Sequence, residues 1–320
     1  MDQNSIKAYA CYNVDEKTRH NSTSGGLFLA LCKTISNRKG IVYGVVFDEK
    51  YNSIHQSSHS YEDCKKFSGS KYPQSDTELV FCEIKEKLKD KTRPVLFSGT
   101  PCQVAALRSF LGKEYDNLFC IDIICMGVAS PFLWKEYIDK EFPGHDITDI
   151  KFKDKKYGWK KYSIKIQSEK KIIHELGGRN IFMNSYVQGY QMRESCYKCY
   201  FKGTNRYSDI TIADCWGIEK MIPKWDTFEG VSVAFVNTRK GATLFDYSKE
   251  YLISQEVSFD QAIKYNPYYT VSKEHPSSYS LFWKLHKFSK PIFYWYYNAN
   301  SIHFRALRKI KFLFFSKKSM

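Results

Sequence analysis

Apolar positions along this chain change rhythm repeatedly between helix and strand. Leu27–Ile35 carries them at helical spacing, and Ile41–Phe47 is a short β-branched run that stops at Asp48-Glu49. Thr77–Lys89 reads as an amphipathic, charge-laced helix, Pro94–Phe97 as a buried strand, Gln103–Phe110 as a helix and Leu118–Ile124 as a second buried strand. Trp134–Phe142 is a helix that breaks at Pro143-Gly144. Beyond it, Ile147–Phe152 and Tyr162–Ile166 alternate apolar with polar residues as half-exposed strands do, Ile210–Ala213 and Val231–Val236 are further strands, and Ala242–Ser254 is a helix. The expectation is α/β at the front and α+β behind: mixed sheets flanked by helices in two tightly packed subdomains, with a soft boundary near Pro143-Gly144 and a helical basic tail.

Composition narrows the class. A hydrophobic share of 43% over 320 residues suits a folded core, and the 17% aromatic content suits either flat-ring ligands or an aromatic core. The net charge of +15 is uneven, because residues 281–320 hold nine Lys or Arg and no Asp or Glu. A basic tail on a mildly basic body points to local docking, on a membrane surface or a protein, and away from nucleic acid. The opening Met1–Ser5 has no basic region and no apolar stretch after it, and no uncharged apolar run approaches the ~18 residues of a membrane span. The expected location is cytoplasmic, peripheral to a membrane at most. There, ten cysteines serve metal binding, redox chemistry or burial in preference to disulfides.

Four cysteines stand out. Cys196-Tyr197-Lys198-Cys199 is a CxxC pair, a spacing shared by zinc sites, iron–sulfur sites and thiol oxidoreductases. Cys102 follows Thr100, a good helix N-cap, and Pro101, which suits the first helical position, so its sulfur lies where a helix dipole favours thiolate. Cys125 ends the Leu118–Ile124 strand. Carboxyl ends of strands in open sheets gather ligands, so Cys102 and Cys125 can converge, and Cys196 with Cys199 makes four. Cys32 and Cys120 read as buried, and Cys215 is held in reserve as a ligand.

Three polar loops add cofactor chemistry. Asn21–Gly26 places hydroxyls and two glycines before a helix, where phosphate binds, though a plain cap with a glycine turn fits as well. Ser68-Gly69-Ser70-Lys71-Tyr72 combines small residues, a cation and an aromatic ring, and competes with a surface turn. Lys202–Arg206 follows the CxxC and offers two cations.

Taken in order, Ser22–Gly26, Gly69–Tyr72, Phe97–Gln103, Asp122–Cys125, Cys196–Cys199 and Ser208–Gly217 resemble the motifs of the coenzyme F420 hydrogenase/dehydrogenase beta-subunit family, across roughly residues 20–240. The resemblance implies an iron–sulfur flavoprotein oxidoreductase with FAD and one 4Fe-4S cluster. Cys102, Cys125, Cys196 and Cys199 match the cluster positions. Ser22, Ser24, Gly25, Gly26, Ser70, Lys71 and Thr100 are the implied cofactor contacts. Residues 1–90 and 91–275 correspond to the family's two segments, and 276–320 is the basic aromatic tail. The chain lacks the ferredoxin domain that opens many relatives, so an external electron carrier, a ferredoxin or a deazaflavin, is expected. It also carries Met126 where relatives commonly have His. Short relatives of this kind occur beside bacterial surface-polysaccharide genes, which extends the expectation to that pathway. The rivals are a zinc-stabilised binding module and a degenerate scaffold that keeps only the fold.

Overall fold

The computed structural model describes residues 6–77, 79–144 and 146–297. Eleven strands are present among them: β1 Lys7–Asn13, β2 Ile41–Phe47, β3 Ser53–Ser58, β4 Val95–Gly99, β5 Leu118–Ile123, β6 Ile147–Asp154, β7 Ser163–Ser168, β8 Ile172–Leu176, β9 Ile210–Asp214, β10 Ser232–Val236 and β11 Leu252–Val257. Eight form one mixed sheet in the order β11-β1-β10-β9-β5-β4-β2-β3, and β6-β7-β8 form a second, antiparallel one. The centre of the large sheet, β2-β4-β5-β9, is parallel, and both its wings are antiparallel. The central strands β2, β4 and β5 are largely apolar on both sides, as strands covered on two faces require.

Helices Leu27–Asn37 and Arg239–Ser248 cover one face, burying Leu31 and Phe245 against Val42, Leu96 and Ile121. On the other face, helices Val80–Lys87 and Pro101–Leu111 bury Ile84, Val104 and Leu107 against Val95, Phe97 and Leu118. The small sheet packs with helices Pro131–Glu141 and Ile181–Gln188 around Trp134, Phe152 and Phe182. The mixed α/β architecture agrees with the order of elements read from the sequence.

Local differences have physical reasons. The helix expected over Ala242–Ser254 stops at Ser248, and Leu252–Val257 is instead β11, because β1 offers it a hydrogen-bonding edge. β1 itself, whose buried residues are Ala8, Ala10, Cys11 and Asn13, and β3, mostly polar, escape hydrophobic patterning and owe their existence to pairing. The helix expected from Thr77 begins at Val80.

Candidate functional site

The parallel strands β4, β5 and β9 point their carboxyl ends the same way, and a cavity of about 550 Å³ opens there. Its wall includes Ser22–Ser24, Gly26, Ser68–Pro73, Ser98–Thr100, Ile123–Val128 and Ile212–Asp214, so stretches far apart in sequence meet around one space. A larger cleft of about 980 Å³ shares Ser22, Thr23, Ser68–Lys71 and Lys153 with it as a common wall.

The first loop is clamped from behind. Ser24 Oγ donates to the Val231 carbonyl at 2.6 Å, and the Gly25 amide donates to Ser232 Oγ at 2.9 Å. A Cβ on Gly25 would stand 2.5 Å from the Cys11 carbonyl oxygen and 2.6 Å from the Ser232 nitrogen, so only glycine fits between β1 and β10. Ser22 Oγ donates to the Thr18 carbonyl at 2.7 Å. The seryl hydroxyls thus fix the loop, while Gly26, at φ 83°, turns the chain into helix Leu27–Asn37 and leaves that helix's amino end at the cavity. Gly25 packs behind the wall and does not line it.

Thr23 Oγ1 accepts from the Ser70 amide at 2.9 Å, stitching the second loop to the first. Lys71 Nζ donates to the carbonyls of Ser68 and Lys66 at 2.8 and 3.0 Å, and burial pushes its pKa down to about 7. Thr100 caps helix Pro101–Leu111, its amide donating to Gln103 Oε1 at 2.9 Å.

Of the four singled-out cysteines, Cys125 lines this cavity, and Cys102, Cys196 and Cys199 are linked to it through one another's fields. The Cys125 thiol is pushed up to about 12, first by burial and next by the field of Cys102, with Lys202 opposing and Cys196 adding to the rise. Burial raises Cys196 as well, and Cys102 and Cys199 raise it further. Each of the four thus lies within electrostatic reach of at least one other, which joins three distant stretches at one place. Cys102 Sγ lies 3.1 Å from Thr100 Oγ1, and the Cys199 amide donates to Ser272 Oγ at 3.0 Å. Gly127 allows the approach: a Cβ there would meet Met192 Sδ at 2.5 Å and Cys196 Cβ at 3.3 Å. Among the described residues no group of three or more His, Cys, Asp or Glu could hold a single metal ion. Cys215, the reserve ligand, is instead fully buried in the core around Val233 and Phe235; burial pushes it up to about 12, and its thiol neighbour is Cys11.

One cation, Lys202, acts directly on the thiols. Lys202 Nζ donates to the carbonyls of Cys125 and Tyr268 at 2.7 and 2.8 Å; burial lowers its pKa, while Cys125, Cys199 and Cys196 pull it back up. Arg206 pairs with Asp122 at 3.0 Å in a fully enclosed ion pair.

Lys153 and Tyr186 line the cavity, and neither they nor Trp159 carried a signal in the sequence. Lys153 comes from β6 of the small sheet and bonds Asp214, at the end of β9, at 2.5 Å. Burial opposes the charge on Lys153, but Asp214 and Tyr72 outweigh it and hold the pKa above the usual lysine range. Trp159 Nε1 donates to the other Asp214 oxygen at 3.0 Å, and its ring stacks on Trp216 with centroids 4.6 Å apart and planes 4° apart. Tyr186 donates to the Gly127 carbonyl at 2.9 Å and packs on Tyr72. A lysine in an alternating strand looks like any solvated one, so its inward turn is visible only in three dimensions.

A family model for the C terminus of the coenzyme F420 hydrogenase/dehydrogenase beta subunit matches residues 92–259. The fold is similar to a chain of the F420-reducing NiFe hydrogenase complex from Methanosarcina barkeri, solved as a xenon derivative. The TM-score is 0.54 at 14% identity, over 89% of this chain and 93% of that one. No curated protein matches the sequence.

Proposed function

Because the chain belongs to the coenzyme F420 hydrogenase/dehydrogenase beta-subunit family, a family with oxidoreductase roles, we propose that it is a flavin- and iron–sulfur-dependent oxidoreductase. FAD would lie in the cavity at the ends of β4, β5 and β9, and Cys102, Cys125, Cys196 and Cys199 would hold one 4Fe-4S cluster. One observation carries the reading: thiols from three separate stretches lie within one another's fields, and one of them, Cys125, lines the same cavity that the polar loops wall off.

When bound, the flavin supplies two-electron and the cluster one-electron chemistry. The chain's residues have separate tasks around that chemistry. The amino end of helix Leu27–Asn37 and the Lys71 ammonium offer donors and positive charge to a pyrophosphate. Lys153, kept charged by Asp214, brings a cation to the cavity wall, where anionic character on a ring would be stabilised. Tyr72, Tyr186 and Met126 close the wall against water. Lys202 offsets the negative charge of ligated thiolates, and the first turn of helix Pro101–Leu111 adds its dipole at Cys102. The adjoining cleft gives an external carrier, a ferredoxin or a deazaflavin, a route to the shared wall. The resemblance extends the proposal to bacterial surface-polysaccharide assembly.

Anaerobic purification followed by reconstitution with iron and sulfide tests this. About four irons per chain, an EPR signal on reduction and released FAD are expected. One zinc without acid-labile sulfide, or neither cluster signal nor flavin, rejects the proposal and favours a binding module or scaffold.

A further inference from the structure

We propose that the C-terminal helical pair is a docking surface for an anionic lipid bilayer. The pair, Tyr279–Phe288 and Lys290–Tyr297, turns at Ser289 and folds back on itself, with the Phe282 ring 4.9 Å from Phe293 and 5.0 Å from Tyr297. These three side chains bury together against Leu133 of helix Pro131–Glu141. Polar contacts secure the same inner side: Glu136 accepts from Lys290, from Tyr294 at 3.3 Å and pairs with His286 at 3.0 Å. The pair is therefore fastened to the body by one side only.

Its outer side is apolar and cationic. Leu281, Lys284 and Phe288 fall at i, i+3 and i+7 on the first helix, which places them in one stripe. Phe288, beside the turn, is 81% exposed, and Ile292 and Trp295 are exposed on the second helix. Phe132, also exposed, lies next to the pair, with Lys290 Nζ 5.7 Å from its ring centroid. Residues 279–297 contain no Asp or Glu, while Lys284 and Lys287 are exposed. The sequence from 298 to 320 continues in the same character, with six Lys or Arg, four Phe and no acid.

An acidic protein patch would match the lysines but would have no use for an aromatic tip standing clear of the body. A bilayer uses both. Aromatic side chains settle at the boundary between headgroups and acyl chains, and lysine stems extend to the phosphates. Apolar insertion and basic attraction together give the two signals that reversible membrane attachment needs. Among the described residues no helix is long and apolar enough to cross a membrane, so the contact is peripheral.

The inference does not depend on the redox reading, and its test uses the full chain without regard to cofactor. Flotation is measured with phosphatidylcholine vesicles, with and without phosphatidylglycerol. The wild type should float only with the anionic vesicles and release them in high salt. Phe288→Ser with Ile292→Ser, and separately Lys284→Glu with Lys287→Glu, should each lower the bound fraction at least about tenfold, with circular dichroism unchanged. Absence of flotation, equal flotation on neutral vesicles, or undiminished flotation of both variants overturns the proposal. So does concentration-dependent dimerisation that Phe288→Ser with Ile292→Ser abolishes, since the face would then belong to a second copy.

Discussion

Replacing Arg206 with methionine is expected to cost about 3–5 kcal/mol of stability. Arg206 and Asp122 are 1% and 0% exposed, and their 3.0 Å contact ties the segment after the CxxC pair to β5, three residues before Cys125. Burial pushes Asp122 above the usual carboxylate range, and Arg206 brings it only partly back. Asp122 Oδ1 and Arg206 Nε and Nη2 make no further well-formed hydrogen bond, although the Thr211 and Ser208 hydroxyls lie close enough to favour the carboxylate, so the pair is only partly satisfied. Removing the guanidinium would leave a carboxylate in a dry site, and would also remove the cation from over the Tyr269 ring, 4.7 Å away. At about 2.1 cal/mol/K of unfolding entropy per residue over 320 residues, the loss corresponds to a fall in Tm of about 4–8 °C. The direction with pH follows from the raised pKa. A carboxyl whose folded pKa is above its unfolded one favours the fold at low pH, and that support is lost as pH rises through the folded value. The deficit of the variant should therefore narrow in acid. Combining Asp122→Val with Arg206→Met removes both charges and should recover most of the loss, because desolvation offsets much of what a buried pair gains. Thermal melts of the wild type, both single variants and the double variant give the complete cycle. An Arg206→Met protein melting within about 1 °C of the wild type, or a double variant as unstable as the two single losses added, would refute the reasoning.

Other outcomes follow from the same geometry. Gly25→Ala should cost about 1–3 kcal/mol in urea unfolding and weaken FAD binding, since the new methyl meets the backbones of β1 and β10 at once. FAD affinity for the flavin-stripped protein, followed by flavin fluorescence, should be flat below about pH 7 and fall above it as Lys71 loses its proton; Lys71→Met should abolish that dependence. Lys202→Met should lower the reduction potential of the reconstituted cluster by on the order of 50–100 mV, because a cation is lost beside Cys125, Cys196 and Cys199. An unchanged potential in a dye-coupled titration would remove Lys202 from that role.

Much of the fold was legible in one dimension because the interior strands and helices carry their own periodicity. Ile41–Phe47, Leu118–Ile123 and Leu27–Asn37 are apolar in patterns that suit one conformation each, and Thr100-Pro101 marks a helix start by local capping alone. The nearness of Cys102 and Cys125 was legible for the same reason, since both follow strand ends. Tertiary structure decided what depends on partners. β1, β3 and β11 exist through pairing that no periodicity announces. Cys215 and Cys125 both follow the carboxyl end of a strand, yet Cys215 falls in the core and Cys125 in the cavity wall. Lys153 and Asp214 are an ordinary lysine and aspartate until the small sheet brings β6 against the end of β9. Spacing along a chain specifies local conformation, whereas a buried charge is defined by what surrounds it, and only packing supplies that.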